Sequence, residues 1–249
     1  MKLIINGDDF GHTRGVNFGI VDVYQRGALR STTVMANRPG FLHAMELAKQ
    51  TPGLGVGVHL VLTCDRPLGK GYKTIVREDG FFYRPDPFEE QVNFFDLAEV
   101  EAEYVLQIEK VLENGITPTH LDGHHHTHIN PVILPITLKL ADRYGLPIRA
   151  YKRDDFPDTY KHIKTASAFN DCFYDEDATL PNILRILEQN KNCDVLEIMC
   201  HPAYVDQALI DVSEYTLVRA RELEILTSPE LLDFIKENQI ELVNYSALS

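Results

Sequence analysis

The amino-acid sequence predicts an α/β fold, a single (β/α) barrel with about eight parallel strands. Three observations predict it. Strand-like and helix-like segments alternate from one end to the other, which means a parallel sheet covered by helices. The alternation runs through 249 residues without a break in composition. Apolar residues make up 44% of the chain, enough to fill one large core. A doubly wound open sheet is the alternative with the same alternation. In either fold the chemistry belongs just beyond the C-terminal ends of the strands.

Each element has its own signal. Residues 2–6 (KLIIN) are an apolar run expected to form the first strand, followed by the polar turn Gly7-Asp8-Asp9-Phe10-Gly11. Val16, Ile20, Val23 and Tyr24 recur at helical spacing through residues 14–26. Residues 29–35 read as the second strand and 41–49 as the second helix, stopped by Pro52-Gly53. The third strand, 54–62, is rich in Val and Gly. A long amphipathic helix is expected over 97–112, ended by Asn114-Gly115, then a short strand at 119–122 and a helix over 131–144. Further strands are expected at 146–151, 165–169, 195–200 and 240–244, with helices over 180–188 and 214–226.

Composition excludes several classes. The aromatic and apolar content is too high for disorder, and no run reaches the roughly 18 apolar residues of a membrane span. The opening MKLIIN is too short for a signal peptide. The four cysteines, Cys64, Cys172, Cys193 and Cys200, contain no C-x-x-C pair, which suits reduced thiols and a cytoplasmic location. Twenty-four basic against thirty-seven acidic residues leave a net charge of −13, which argues against nucleic acid but not against a neutral sugar. A homodimer is compatible with this composition and is not written into it.

One segment breaks the rhythm. Residues 63–95 show no clean period and carry Pro, Gly, basic residues and the aromatics Tyr72, Phe81, Phe82 and Tyr83. A loop of this length in a domain is expected to be a lid-like insertion, against the plainer reading of a surface hairpin packed over its own aromatics. Tyr72, Phe82 and Tyr83 are its candidate sugar-stacking side chains.

The chemistry gathers at strand ends. Five of the ten histidines, His120, His124, His125, His126 and His128, lie within nine residues directly after a strand. Each buried imidazole nitrogen needs a partner, so metal binding is the natural use of such a tract, against an incidental His-rich loop. Asp8 and Asp9 follow the first strand, and neighbours in an extended chain point opposite ways, so one can ligate a metal while the other faces the reacting atom. His59 lies near the end of the third strand, where a hydrogen-bonded core histidine is the alternative. His201 ends a long apolar strand, and Pro202 turns the chain away. Two imidazoles and one carboxylate form an open site for a divalent cation. Amide or ester hydrolysis there needs a base, for which Asp8 suits, and an acid, for which His201 suits. His124 and His126 share one face of an extended chain and His125 the other, so spacing alone leaves the ligating histidine open.

Asn6-Gly7-Asp8-Asp9-Phe10-Gly11 with Gly15-Val16-Asn17 resembles the NADDFG…G-x-N opening of the YdjC-like carbohydrate deacetylases, a family that includes a chito-oligosaccharide (diacetylchitobiose) deacetylase. Ser31-Thr32-Thr33, Gly57-Val58-His59-Leu60, residues 119–126 and Glu197-Ile198-Met199-Cys200-His201-Pro202 continue the resemblance in order. Gly7 and Gly123 depart from the family's usual Ala and Ser. The resemblance implies a TIM-like barrel related to polysaccharide deacetylases, with a divalent metal on Asp9, His59 and His124. It implies Asp8 as base and His201 as acid, and it suggests Mg, whereas the imidazoles suggest Zn. Arg149, at the end of residues 146–150, is expected to orient a catalytic carboxylate or bind substrate, with a surface arginine as the alternative. Asp122 and His126 are candidates to support the ligating histidines.

The resulting expectation is a metal-dependent hydrolase that removes an N-acetyl group from a small amino sugar in chitin breakdown. The alternatives are a non-catalytic sugar-binding or regulatory protein, and a metal-dependent sugar-phosphate isomerase or phosphoesterase.

Overall fold

In a computed structural model, which describes residues 1–248, the first strand, β1 (Lys2–Phe10), is buried along nearly its whole length at the centre of the sheet. Leu3, Ile4 and Ile5 are apolar toward both faces, as a strand covered on both sides requires. β2 (Ser31–Val34), β3 (Gly55–Leu60) and β4 (Leu121–Gly123) extend the sheet to one side. β6 (Val195–Cys200) and β5 (Ala168–Asn170) extend it to the other, and every pairing is parallel. β7 (Glu241–Leu242) pairs with Lys2 and Leu3, the stretch of β1 that precedes its pairing with β2 at Asn6. Residues 147–149 carry the wall onward from β4. Leu121 N–H donates to Pro147 C=O, Arg149 N–H to Leu121 C=O, and Ile148 N–H to Lys164 C=O, just ahead of β5. The sheet thus curls into a (β/α) barrel-like wall, not a doubly wound open sheet.

The helices cover this wall, and local signals set their ends. α1 (Arg14–Arg26) starts at Thr13, whose side chain accepts from Val16 N–H, and buries Val16, Ile20 and Val23. α2 (Phe41–Gln50) follows β2. In α1, Gly15 and Gly19 permit a close approach: a Cβ there would lie 2.2 Å from the Tyr204 carbonyl oxygen and 2.5 Å from Ala203 Cα. The chain leaving β6 is therefore clamped against α1. Asn17, fully buried, accepts from Gly11 N–H (2.6 Å) and donates to Gly40 C=O (2.9 Å), tying the exit of β1 to the start of α2. The G-x-N signature thereby has a structural task.

Residues 63–95 contain an antiparallel bridge between Val76 and Phe82 and a short helix, α3 (Pro85–Gln91). Ile75, Phe82, Phe88, Val92 and Phe95 are buried beneath it. Two carboxylates on α4 (Leu97–Glu113) hold the segment: Glu103 accepts from Leu68 and Gly69 N–H, and Glu99 from Lys73 and Thr74 N–H. Phe82 packs underneath, Tyr72, Phe81 and Tyr83 are half-buried, and the inner edge of the segment borders the cleft described below.

Three differences from the sequence reading matter. β1 runs on through Asp8 and Asp9 to Phe10, because a register shift between Gly7 and Phe10 lets the strand continue through its own bend. Residues 146–151 join the wall through the Leu121–Ile148 bridge and the Ile148 N–H bond to Lys164 C=O, and form no extended strand of their own. α5 (Leu134–Tyr144) begins three residues late, after a 3-10 turn that holds the histidine tract. α6 (Leu180–Gln189), α7 (Gln207–Ile210), α8 (Leu217–Leu226) and α9 (Pro229–Glu237) complete the cover. α9, capped by Ser228, was not expected. Among the described residues no helix is long and apolar enough to cross a membrane, and all four cysteines are unpaired.

Candidate active site

A cleft of about 1280 Å³ opens over the C-terminal ends of β1, β3, β4 and β6. Asp8 and Asp9 enter it from the irregular end of β1, where Asp9 takes a left-handed φ of 70°. A non-glycine residue there is held by its surroundings at a cost of order 1 kcal/mol, and such strain collects at functional sites. The two side chains meet different partners.

Asp9 faces His59 and His124. Its Oδ1 lies 3.1 Å from His124 Nδ1 and 3.5 Å from His59 Nε2, yet this buried oxygen makes no hydrogen bond among the described residues. One ligand atom from each of Asp9, His59 and His124 falls within 4.8 Å of the others. On the far side of His59, Nδ1 lies 2.8 Å from Asp122 Oδ1. Asp122 is a carboxylate, so Nδ1 is the donor and the Nε2 lone pair faces Asp9. Burial alone would discourage a charged His124, but the Asp9 carboxylate overrides it and raises His124 to about 10. Burial likewise opposes charge on Asp9, but Arg219 and His124 hold its carboxyl well below the usual range. Arg219 of α8 donates from Nη2 to Asp9 Oδ2 at 2.7 Å, which leaves Oδ1 as the oxygen facing the histidines. The donor set fits a small divalent cation.

Asp8 faces a different cation. Arg149, fully buried, donates from Nη1 and Nη2 to its two oxygens, each at 2.7 Å, and Asn6 Nδ2 adds a third bond at 2.8 Å. Arg149 also donates from Nε to Glu197 at 2.8 Å, and its Nη1 lies 3.0 Å from Asp122. Burial pushes the Asp8 carboxyl up, and Arg149 more than reverses this, so Asp8 is ionised at neutral pH. Asp8, His59 and Asp122 also lie close enough to form a metal-like group, but Arg149 already supplies its positive charge. Arg149 is therefore no surface residue, and its nitrogens are committed to carboxylates. Glu197, beneath it, is raised to about 7 by burial, which the Arg149 and Tyr245 bonds only partly offset.

His201 leaves β6 on the opposite wall. Burial first, then Arg219, pushes it down to about 4, so it is neutral at rest. Its Nδ1 is buried without a partner among the described residues, as are His12 Nε2 and Arg219 Nη1. An unpaired buried polar atom costs roughly 1–3 kcal/mol, so several on one wall mark where a ligand completes the bonding. Glu222 of α8 accepts the His201 backbone N–H and the Tyr215 hydroxyl.

Other candidates sit differently from expectation. The tract from His124 is a 3-10 turn with His125 and His126 both left-handed (φ 53° and 55°), so the alternation of an extended chain does not apply. His125 turns to Thr63 (2.8 Å), and His126 lies against Tyr151 and Phe169 with its Nδ1 unpartnered. Of the insertion's aromatics, Phe82 borders the cleft at only 2% exposure, Tyr83 stacks on Phe95, and Tyr72 packs beside Glu103. Neither tyrosine is among the described residues that line the cleft. The sequence reading did not single out Arg219, Glu222, Tyr174 or Tyr215. One signal was present. Arg219 and Glu222 interrupt the buried face that Leu223 and Leu226 define in α8, and a charged pair on a core-facing stripe calls for partners.

Comparison with known proteins sets these residues in a family. A family model described as YdjC-like protein matches residues 2–237. A carbohydrate deacetylase of Clostridium beijerinckii is 42% identical over 98% of this chain and 99% of its own length. A crystal structure from Enterococcus faecalis, provisionally described as a cellobiose-phosphate cleavage protein, is 38% identical with a TM-score of 0.94, covering 100% of this chain and 98% of that one. The polysaccharide deacetylase Bc1974 of Bacillus cereus shares the fold alone, at 12% identity and a TM-score of 0.51, covering 98% of this chain and 91% of that one.

Proposed function

The chain belongs to the YdjC-like protein family, and from that membership we propose that it is a carbohydrate deacetylase that hydrolyses the N-acetyl group of a small amino sugar. Diacetylchitobiose or a short chito-oligosaccharide is the proposed substrate. The observation that carries the reading is the convergence of Asp9, His59 and His124 around an unpartnered carboxylate oxygen, one residue away from an ionised Asp8.

Asp9, His59 and His124 would hold a divalent cation, with Zn favoured by the imidazoles and Mg by the family likeness. Such a cation polarises the acetyl carbonyl and makes the attacking water more acidic. The other steps belong to the chain itself. Asp8, fixed by Arg149 and Asn6, has three of roughly four acceptor positions filled and one left for the proton of the attacking water. Arg149 lowers its basicity, so Asp8 releases that proton readily. His201, neutral at rest, takes up a proton from solvent during turnover and delivers it to the departing nitrogen, while Asp8 returns the water proton to solvent. Asp122 orients His59, and Arg219 orients Asp9. The 63–95 segment, whose inner edge borders the cleft, acts as the lid of a single catalytic domain.

Acetate release from diacetylchitobiose, with and without a chelator, tests this. The expected result is release that stops on chelation and returns with added Zn or Mg. Full release from the stripped protein would reject metal dependence. A phosphorylated sugar is a second reading, favoured by the Enterococcus faecalis relative's description and by Arg38, Arg77 and Arg84 along the cleft. Arg38 and Arg77 are already paired with Asp65 and Asp79. Phosphate release from a sugar phosphate under the same conditions would favour it.

A further inference from the structure

Tyr174 and Tyr215 stand beside His201 and have no part in the chemistry above. Their rings stack with centroids 4.5 Å apart and planes 3° from parallel, and each meets the His201 ring edge-on, at 5.5 and 5.6 Å. Tyr174 borders the cleft and remains 42% exposed. The pair is held in place. The Tyr215 hydroxyl donates to Glu222 and accepts from Asp175 N–H at 3.1 Å, and the second Glu222 oxygen takes the His201 N–H. Asp175 itself adopts a left-handed φ of 49°, and Arg221 donates to its carbonyl at 2.7 Å. A non-glycine residue keeps that conformation only where several bonds fix it. The turn presenting Tyr174 is thus tied to the same carboxylate that fixes His201.

An exposed aromatic ring, braced from behind and joined rigidly to a reacting histidine, has the chemistry of a pyranose platform. The electron-rich ring face attracts the electropositive C–H edge of a sugar, while the hydroxyls stay free for water and polar side chains. We propose that Tyr174, backed by Tyr215, carries the pyranose ring of the substrate and sets its N-acetyl group in register with His201 and the Asp9 centre. This rests on the deacetylase reading for the identity of the sugar. Specificity for a ring over an acyclic amide then comes from this wall.

The test compares Tyr174→Ala and Tyr174→Phe with the wild type. It uses calorimetric binding of diacetylchitobiose, and acetate release from that disaccharide and from N-acetylethanolamine. Tyr174→Ala should weaken disaccharide binding and raise its KM about tenfold, lower its kcat severalfold through lost register, and change turnover of the acyclic amide far less. Tyr174→Phe should restore the wild-type values, and a melting temperature of Tyr174→Ala equal to that of the wild type separates the lost platform from a folding defect. Unchanged binding and KM in Tyr174→Ala, failure of Phe to restore them, or no disaccharide binding by the wild type would each overturn the proposal. Tyr174-dependent binding without acetate release would uphold the platform and remove the deacetylase reading instead.

Discussion

Asp8 and Asp9 are consecutive on β1, equally buried, and surrounded by opposite arrangements. Asp8 accepts three hydrogen bonds, two of them from a guanidinium, while Asp9 gives one oxygen to Arg219 and keeps the other unpartnered between two imidazoles. A carboxylate with three of its roughly four acceptor positions filled is fixed and charged, and keeps one position to take a proton. One whose charge is held by Arg219, with its other oxygen facing two imidazoles, keeps a position open to a cation. Neighbouring carboxylates on a bent strand can thus be given different tasks by what faces them, without any difference in residue type.

The contrast can be broken from the Asp8 side first. Arg149→Met leaves Asp8, Asp122 and Glu197 buried without the cation they share. The expected loss is about 3–5 kcal/mol, seen as a melting temperature lower by roughly 10 °C. A variant as stable as the wild type would show that the buried charges are compensated in another way. Asp8→Asn is milder for the fold and should lower turnover by about 100-fold, close to 2.7 kcal/mol of barrier, with the Asp9 centre intact. Turnover within a few-fold of normal would take Asp8 out of the proton transfer.

Glu197 supplies the smallest effect and a pH signature. Its folded value, about 7, exceeds its ordinary 4.5, so the native state holds the proton longer than the unfolded chain does. The stability this gives is fully present below about pH 4.5 and is lost as pH rises through about 7. Glu197→Gln should remove roughly 2 kcal/mol of that decline between pH 5 and 8, so its melting temperature should fall less steeply than the wild type's over that range. Parallel slopes would show that Glu197 ionises normally.

Much of this was legible in the sequence, and the limits have physical causes. The strand–helix alternation and the polar residues at strand ends located Asp8, Asp9, His59, His124 and His201 near one another, because a parallel barrel collects strand ends on one rim. The histidine tract was misjudged in shape. Two successive left-handed residues cannot be inferred from a His-His-His run, and only the surrounding packing imposes them. Arg219 reaches Asp9 from 210 positions away, a contact set by how α8 lies across the barrel. The aromatic shelf at Tyr174 depends on a turn stabilised by Tyr215 and Arg221, distant partners that leave no local pattern. Of the insertion's aromatics, Phe82 lines the cleft while Tyr72 and Tyr83 do not, a division set by the fold of the segment and not by its composition.

Calorimetric titration of the stripped protein with Zn²⁺ and Mg²⁺ tests the central claim most directly. The wild type and Asp8→Asn should each bind one ion per chain, and Asp9→Ala and His124→Ala should bind none at the same concentrations. Binding by Asp9→Ala equal to that of the wild type, or its loss in Asp8→Asn alone, would contradict the division of labour between the two aspartates.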